Sequence, residues 1–244
     1  WKHRRQRQMC IRDSHNVISN GLVLDKNGHK MSKRLGNAVD PFETLDKYGP
    51  DATRWYMISN SNPWDNLKFD INGIEEVKRK FFGTIHNIYS FFSLYSNIDG
   101  FNINSDHIKY VNRHELDRWI ISELNTLIKE VEEAYNNYEP TKSARLISSF
   151  VQDNLSNWYV RLSRRRFWKG EFNQDKISAF QTLHECLKKI SIISSPISPF
   201  YMDNLFQDLN NSHESVHLSN FPDYDLQLVD NNLENKIRLS QKIC

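Results

Sequence analysis

From about residue 72 onward the apolar positions recur every three or four residues, the period that lines one face of a helix. Ile74, Val77, Phe81, Ile85, Ile88, Phe92 and Tyr95 mark a first long helix. Leu116, Ile120, Leu124, Leu127, Val131 and Ala134 mark a second over about residues 115–135, with Asn112 and Glu115 as its expected capping pair. A third follows Pro140-Thr141 and carries Ala144, Ile147, Val151, Leu155, Trp158 and Leu162. A fourth opens near Asn173, carries Ile177, Phe180, Leu183, Leu187 and Ile190, and ends before Pro196, after which a shorter helix runs to Leu209. The connections are short enough for antiparallel neighbours, so the pattern predicts a helix bundle over residues 73–210.

Ahead of the bundle the pattern changes. Val17, Ile18, Leu22 and Val23 form short apolar runs around Asn20-Gly21, and Asn27-Gly28 is a second turn signal, which together predict a small strand-turn element. Asp40-Pro41-x-Glu43 sets a capping carboxylate, a first-turn proline and a third-position glutamate in order; Gly49-Pro50 ends that short helix and a second starts at Asp51. Residues 60–70 read as irregular. Beyond the bundle, Leu233, Ile237 and Leu239 outline a helix that breaks off at Cys244. The fold class is therefore mainly α: a small strand-turn and loop element (16–72), an antiparallel bundle (73–210), and a linker leading into a further region (211–244).

Composition narrows the function classes. With 39% hydrophobic and 25% charged residues, the 244-residue chain is globular rather than disordered, and it holds no apolar run long enough to cross a membrane. Eight glycines and seven prolines suit long helices better than a β-rich fold. A net charge of +2 is too small to argue for nucleic acid from bulk charge, so any such argument rests on where the charges sit. Cys10, Cys186 and Cys244 form no Cys-x-x-Cys pair, and His86, His114, His184 and His217 lack ligand spacing, so no metal site is expected and Cys186 reads as an inert buried thiol. The Phe81, Phe82, Phe91 and Phe92 cluster reads as core. Residues 1–15 carry Lys2, Arg4, Arg5, Arg7 and Arg12 without helical or strand period; they read as a basic RNA-binding arm or as a stretch foreign to the rest, and are left unassigned.

Two segments carry chemistry. Lys30-Met31-Ser32-Lys33-Arg34 places three cations and a hydroxyl in five residues between a turn and Gly36, a loop able to fold over a polyphosphate: ammonium groups on flexible stems can follow phosphate oxygens as charge moves to the leaving group. Trp158 to Lys169 interleaves Arg161, Arg164, Arg165, Arg166 and Lys169 with Trp158, Tyr159, Phe167 and Trp168, without an acidic residue. Guanidinium groups pair with phosphates while aromatic planes stack on unpaired bases, a combination suited to RNA. On a helix, Trp158 and Leu162 are expected inward and Arg164, Arg165 and Arg166 outward, while Lys142 and Arg145 extend the basic surface. Salt bridges to neighbouring helices are the competing reading for each arginine.

The runs Asn20-Gly21-Leu22-Val23-Leu24, Gly28 to Asn37, and Asp40-Pro41 through Tyr48-Gly49-Pro50-Asp51-Ala52-Thr53-Arg54 resemble the class I aminoacyl-tRNA synthetases at their Lys-Met-Ser-Lys-Ser signature loop. Asn66 to Asp70, Asp117-Arg118-Trp119-Ile120, Leu155 to Trp168, Ser195 to Phe200 and Ser215 to Leu218 are similar to the isoleucyl branch of that class more than to the valyl or leucyl branches, and the likeness spans roughly residues 16–225. Arg34 stands where serine is usual in the class, and Trp1 to Ser14 does not resemble what precedes this loop there.

The resemblance implies a ligase that activates isoleucine with ATP, Mg2+ accompanying the nucleotide, and passes the acyl group to the 3' end of isoleucine tRNA in the cytoplasm. It implies Lys33 and Lys30 as catalytic residues, Lys30, Met31, Ser32, Lys33 and Arg34 as the ATP-binding set, and the bundle as an anticodon-binding domain, with Lys142, Arg145, Arg161, Arg164, Arg165, Arg166 and Trp168 as candidate tRNA contacts. No membrane or DNA partner is implied. The nucleotide-binding Rossmann domain, the His-Ile-Gly-His-type signature, the editing domain and the amino-acid pocket of that class have no counterpart here, so the chain is expected to be a piece of a longer enzyme, inactive alone. A valyl-specific fragment and a free-standing helical RNA-binding module are the alternatives.

Overall fold

The computed structural model describes residues 16–103, 107–169 and 171–243. Among these are eight helices and one two-stranded sheet: β1 (Val23–Leu24), α1 (Pro41–Tyr48), α2 (Pro50–Asn60), β2 (Leu67–Lys68), α3 (71–99), α4 (Glu115–Asn136), α5 (140–168), α6 (Gln174–Ser194), α7 (Pro199–Asn210) and α8 (Asn231–Ile243). The basic stretch at residues 1–15 lies outside the described residues.

The strand-turn element is present, but its pairing crosses the chain. β1 runs parallel to β2, with Val23 opposite Leu67 and Leu24 opposite Lys68, so the stretch read as irregular supplies a strand. Gly21 permits this closeness: a Cβ there would sit 2.1 Å from the carbonyl oxygen of Asp65. The apolar residues Val17, Ile18, Leu22 and Val23 stay exposed. α1 starts as its sequence dictates, with Asp40 accepting from the amides of Phe42 and Glu43.

α6 lies at the centre of the bundle and packs against α3, α4, α5 and α7. Ala179, Phe180, Leu183, Cys186, Leu187, Ile190 and Ile193 are all fully buried, each large apolar side chain contributing about 1.5–3 kcal/mol. Asn173 caps this helix through the amide of Lys176, at the start that the pattern predicts. The cap of α4 differs from the expected one. His114 Nδ1 accepts from the amide of Leu116, while Asn112 sits in a separate 3-10 turn, Tyr110–Asn112.

α5 corrects the sequence reading most. Its buried stripe is Ile147, Val151, Leu155, Tyr159, Ser163 and Phe167, a strict period of four, each wholly inaccessible to solvent. Leu162 is 51% exposed and Trp158 is only half-buried, although both were expected inward. A regular α-helix turns past a period-four stripe by about 40° at each step. The helix instead widens into π-type turns over Phe150–Val160, which slows its rotation and keeps the stripe against α4 and α6. α3 contains a similar widened turn at Lys78–Phe82, where Phe81 stacks on Trp55 of α2 with ring centroids 3.9 Å apart.

Two buried polar clusters set the register of the bundle. Asp117 of α4 accepts from Tyr159 and Arg166 of α5 and from Ser178 of α6. On the far side of α4, Glu234 of α8 accepts from Ser122 and Thr126, holding the last helix to the bundle. Glu123, next to that joint, is pushed up to about 7 by burial first and by the charge of Glu234 second.

Candidate functional site

The Lys30–Arg34 loop is held from behind by two side chains. Asp25 accepts from the amides of Asn27 (3.0 Å) and His29 (2.8 Å), closing the Asn27-Gly28 turn, and from the Asn37 side-chain amide (2.9 Å). Asn37 in turn accepts from the amide of Ser32 (2.8 Å) and donates to the carbonyl of Lys30 (3.2 Å), so one side chain binds the start and the middle of the loop. The Asn37 bond foremost, then that from the His29 amide, holds the Asp25 carboxyl below its usual range. Ser32 caps the single turn Lys33–Leu35 through the amide of Arg34, and Gly36 closes it at φ 66°, a left-handed conformation that favours glycine.

Within this frame Met31 and Ser32 are half-buried between exposed cations. Met31 lines an apolar cavity of about 350 Å³ together with Val23, Val39, Thr53, Arg54 and Met57. Lys30, Lys33 and Arg34 are exposed, and none makes an ion pair among the described residues. Three uncompensated cations on a braced backbone form an anion-receiving surface whose own acidic residue, Asp25, is occupied by backbone and amide donors. The sequence placed the cations. It did not single out Asp25 or Asn37, although each stands beside a glycine turn, Asn27-Gly28 and Gly36 respectively.

The seven candidate RNA contacts do not form one patch. Lys142 is exposed beside Glu139 at 3.8 Å. Arg145 donates to the carbonyls of Ser59 and Asn60, both at 2.8 Å, and so caps the end of α2. Arg161, Arg164 and Arg165 lie roughly 20 Å or more further along α5, all exposed and without an ion pair among the described residues; Trp168 closes the helix 55% exposed.

Arg166 was expected outward and points inward. Its side chain is 13% exposed and donates to both carboxylate oxygens of Asp117 (2.7 and 2.8 Å) and to both of Asp175 (2.8 and 2.9 Å). Burial alone would lower the pKa of this guanidinium; the bonds and charge of Asp117 outweigh that and keep it cationic. The geometry makes Arg166 a tie between α4, α5 and α6, the salt-bridge reading. His184 and His217 each bond a backbone carbonyl, of Leu209 and Pro199. Cys186 is buried, its thiol pushed up by desolvation. No group of three or more potential metal ligands gathers among the described residues, and no described helix is long and apolar enough to cross a membrane.

A braced loop with exposed cations is thus joined to a helical bundle. The anticodon-binding domain of tRNA ligase matches residues 117–244, and the class I tRNA synthetases for isoleucine, leucine, methionine and valine match residues 12–70; the chain belongs to the anticodon-binding family of the tRNA ligases. Its curated relatives include the isoleucine--tRNA ligases of Bacteroides thetaiotaomicron (61% identical over 232 residues), Porphyromonas gingivalis (61% over 227) and Clostridium novyi (46% over 233), each alignment covering 93% of this chain. The chain spans 20–22% of the length of these relatives. Among solved structures, the Agrobacterium radiobacter K84 agnB2 LeuRS ternary complex with tRNA and LeuAMS aligns with a TM-score of 0.68 at 18% identity, over 88% of this chain and 24% of that one. The Mycobacterium tuberculosis methionyl-tRNA synthetase complex with methionyl-adenylate aligns with a TM-score of 0.62, also at 18% identity, over 78% of this chain and 37% of that one. These two likenesses concern the fold.

Proposed function

We propose that this chain is the part of an isoleucine--tRNA ligase that supplies the ATP-phosphate loop and the tRNA-binding bundle. The observation that carries the proposal is the braced loop with three cations that form no ion pair among the described residues, in a chain whose curated relatives at about 60% identity are isoleucine--tRNA ligases. In the first step the isoleucine carboxylate attacks the α-phosphorus of ATP, giving isoleucyl-adenylate and pyrophosphate. Charge accumulates on the departing pyrophosphate, and Lys33, with Lys30 beside it, stabilises that charge as the bond breaks. The Ser32 hydroxyl and Arg34 add donors, and Mg2+ accompanies the nucleotide. The adenylate then passes its acyl group to the 3' end of isoleucine tRNA, which the bundle holds through Arg161, Arg164, Arg165 and Trp168. The reaction belongs to the cytoplasm, where translation consumes its product. Residues 16–72 form the end of the catalytic region and 73–210 the anticodon-binding bundle.

Lys33→Ala in the full-length enzyme tests this reading. Isoleucine-dependent pyrophosphate exchange should fall by about 100- to 1,000-fold, the loss typical of one transition-state donor. Affinity for the tRNA transcript should hold. Equal loss of both would make Lys33 a general tRNA or folding residue and remove its catalytic assignment.

A further inference from the structure

α2 is gripped at both ends by bundle residues while its side carries the floor of the loop. At its start, Asp51 is buried and accepts from the amides of Tyr201 (2.6 Å) and Phe200 (3.5 Å), supplying from a distance the cap of α7. α7 lacks one of its own: Ser198, its capping residue, makes no such bond, and the Ser198 hydroxyl is buried without a partner among the described residues. One turn later, Arg54 Nε donates to the carbonyl of Ile197 (2.9 Å) and Nη2 to that of Pro196 (3.2 Å), fixing the α6–α7 turn. At the far end Arg145 holds the carbonyls of Ser59 and Asn60, and the Thr141 hydroxyl donates to that of Ile58 (2.7 Å) with the Ser61 carbonyl also within reach (3.0 Å).

Arg54 is the residue common to both sides. Its guanidinium is tied to the bundle, and its side chain borders the apolar cavity that Met31 also lines. Met31 is the loop's apolar anchor, placed between Lys30 and Lys33. We infer that Arg54 is a positioning residue, setting the pose of the Lys30–Arg34 loop against the bundle through the wall it shares with Met31. Its catalytic consequence rests on the phosphate-loop reading given above; its structural consequence does not.

The experiment uses full-length enzyme and two readouts. Trypsin cuts after Lys30, Lys33 and Arg34, so limited proteolysis followed by mass spectrometry reports the freedom of the loop without reference to its chemistry. Arg54→Met should speed cleavage at these sites several-fold, with the thermal midpoint held close to that of the parent, and Arg54→Lys, which keeps one donor, should restore part of the protection. In pyrophosphate exchange, Arg54→Met should lower kcat by about 10- to 100-fold, the scale of a misplacement of about 1 Å, with little change in KM for isoleucine. The double variant Met31→Ala/Arg54→Met should be no worse than its more damaged parent, because both act through one shared cavity wall. Unchanged cleavage, or fold-losses in the double variant that simply multiply, would overturn the inference. Lys33→Ala run alongside separates the two levels: faster cleavage in Arg54→Met together with full exchange activity in Lys33→Ala would retain the positioning role and remove the phosphate-loop reading.

Discussion

At Asp117 a single carboxylate organises three helices. It is fully buried, and an ion so placed is tolerated only when its lone pairs are met; here a tyrosine, a serine and a two-pronged arginine meet them. Arg166 belongs to this structural set, and its neighbour Arg165 to the surface, although the two are adjacent in a run of three arginines. Their substitution should therefore diverge. Arg166→Met leaves Asp117 charged and short of its cation, which should destabilise the α4–α6 region by about 3–5 kcal/mol, and Arg166→Lys should restore little because the paired geometry is lost. Arg165→Ala should change stability by about 0.5 kcal/mol or less. Hydrogen-exchange mass spectrometry on the full-length protein reads both, through the amides of α4, α5 and α6. Similar protection in the two variants would place Asp117 in a wetter setting than the structure gives it.

Among the elements, α5 is where helical period and packing compete. Six residues four apart are sealed from solvent, and the backbone widens to keep them aligned. Phe167, the last of them, packs edge-on to Phe91 of α3 and Phe180 of α6. Phe167→Ala should cost about 3–5 kcal/mol, whereas Leu162→Ala, at the position a regular helix would bury, should cost about 0.5 kcal/mol or less. Thermal melts of the two variants decide between the periods, and a reversed order would mean that α5 is regular in solution. The same helix explains what the sequence could and could not tell. Asp40-Pro41-x-Glu43 specified α1 because capping is local, within four residues. The cations of the loop were visible for the same reason. Periods of 3.6 and four, however, share the positions Ile147, Val151 and Leu155 and part only at Trp158 and Tyr159, where the faces of α4 and α6 decide. β2 escaped notice because its partner lies 44 residues away, and Arg145 because the carbonyls it caps belong to α2. The loop's chemistry is written in five adjacent residues; its support, from Asp25, Asn37 and Arg54, depends on contacts that only the folded chain creates.

Over the whole molecule, the unengaged positive charge is divided between two separate places. Lys30, Lys33 and Arg34 stand exposed on the loop, while Arg161, Arg164 and Arg165 stand near the end of α5 beside exposed Trp168, with Arg166 withdrawn into the core. Between them lie Arg145 and Arg54, both engaged with backbone carbonyls of neighbouring elements. This separation makes the two functions independently breakable. Arg165→Glu in the full-length enzyme should weaken binding of the isoleucine tRNA transcript and reduce the slope of log affinity against log salt by about one, since one phosphate contact releases roughly one counterion. The adenylate-forming exchange reaction should keep its rate, because the altered residue lies far along α5 from the Lys30–Arg34 loop. Fluorescence anisotropy across a salt series measures the slope, and a valine tRNA transcript in parallel distinguishes reading of bases from tracking of phosphates. An unchanged slope would make Arg165 a bystander on the bundle surface, and an equal loss for both transcripts would confine its contribution to the RNA backbone.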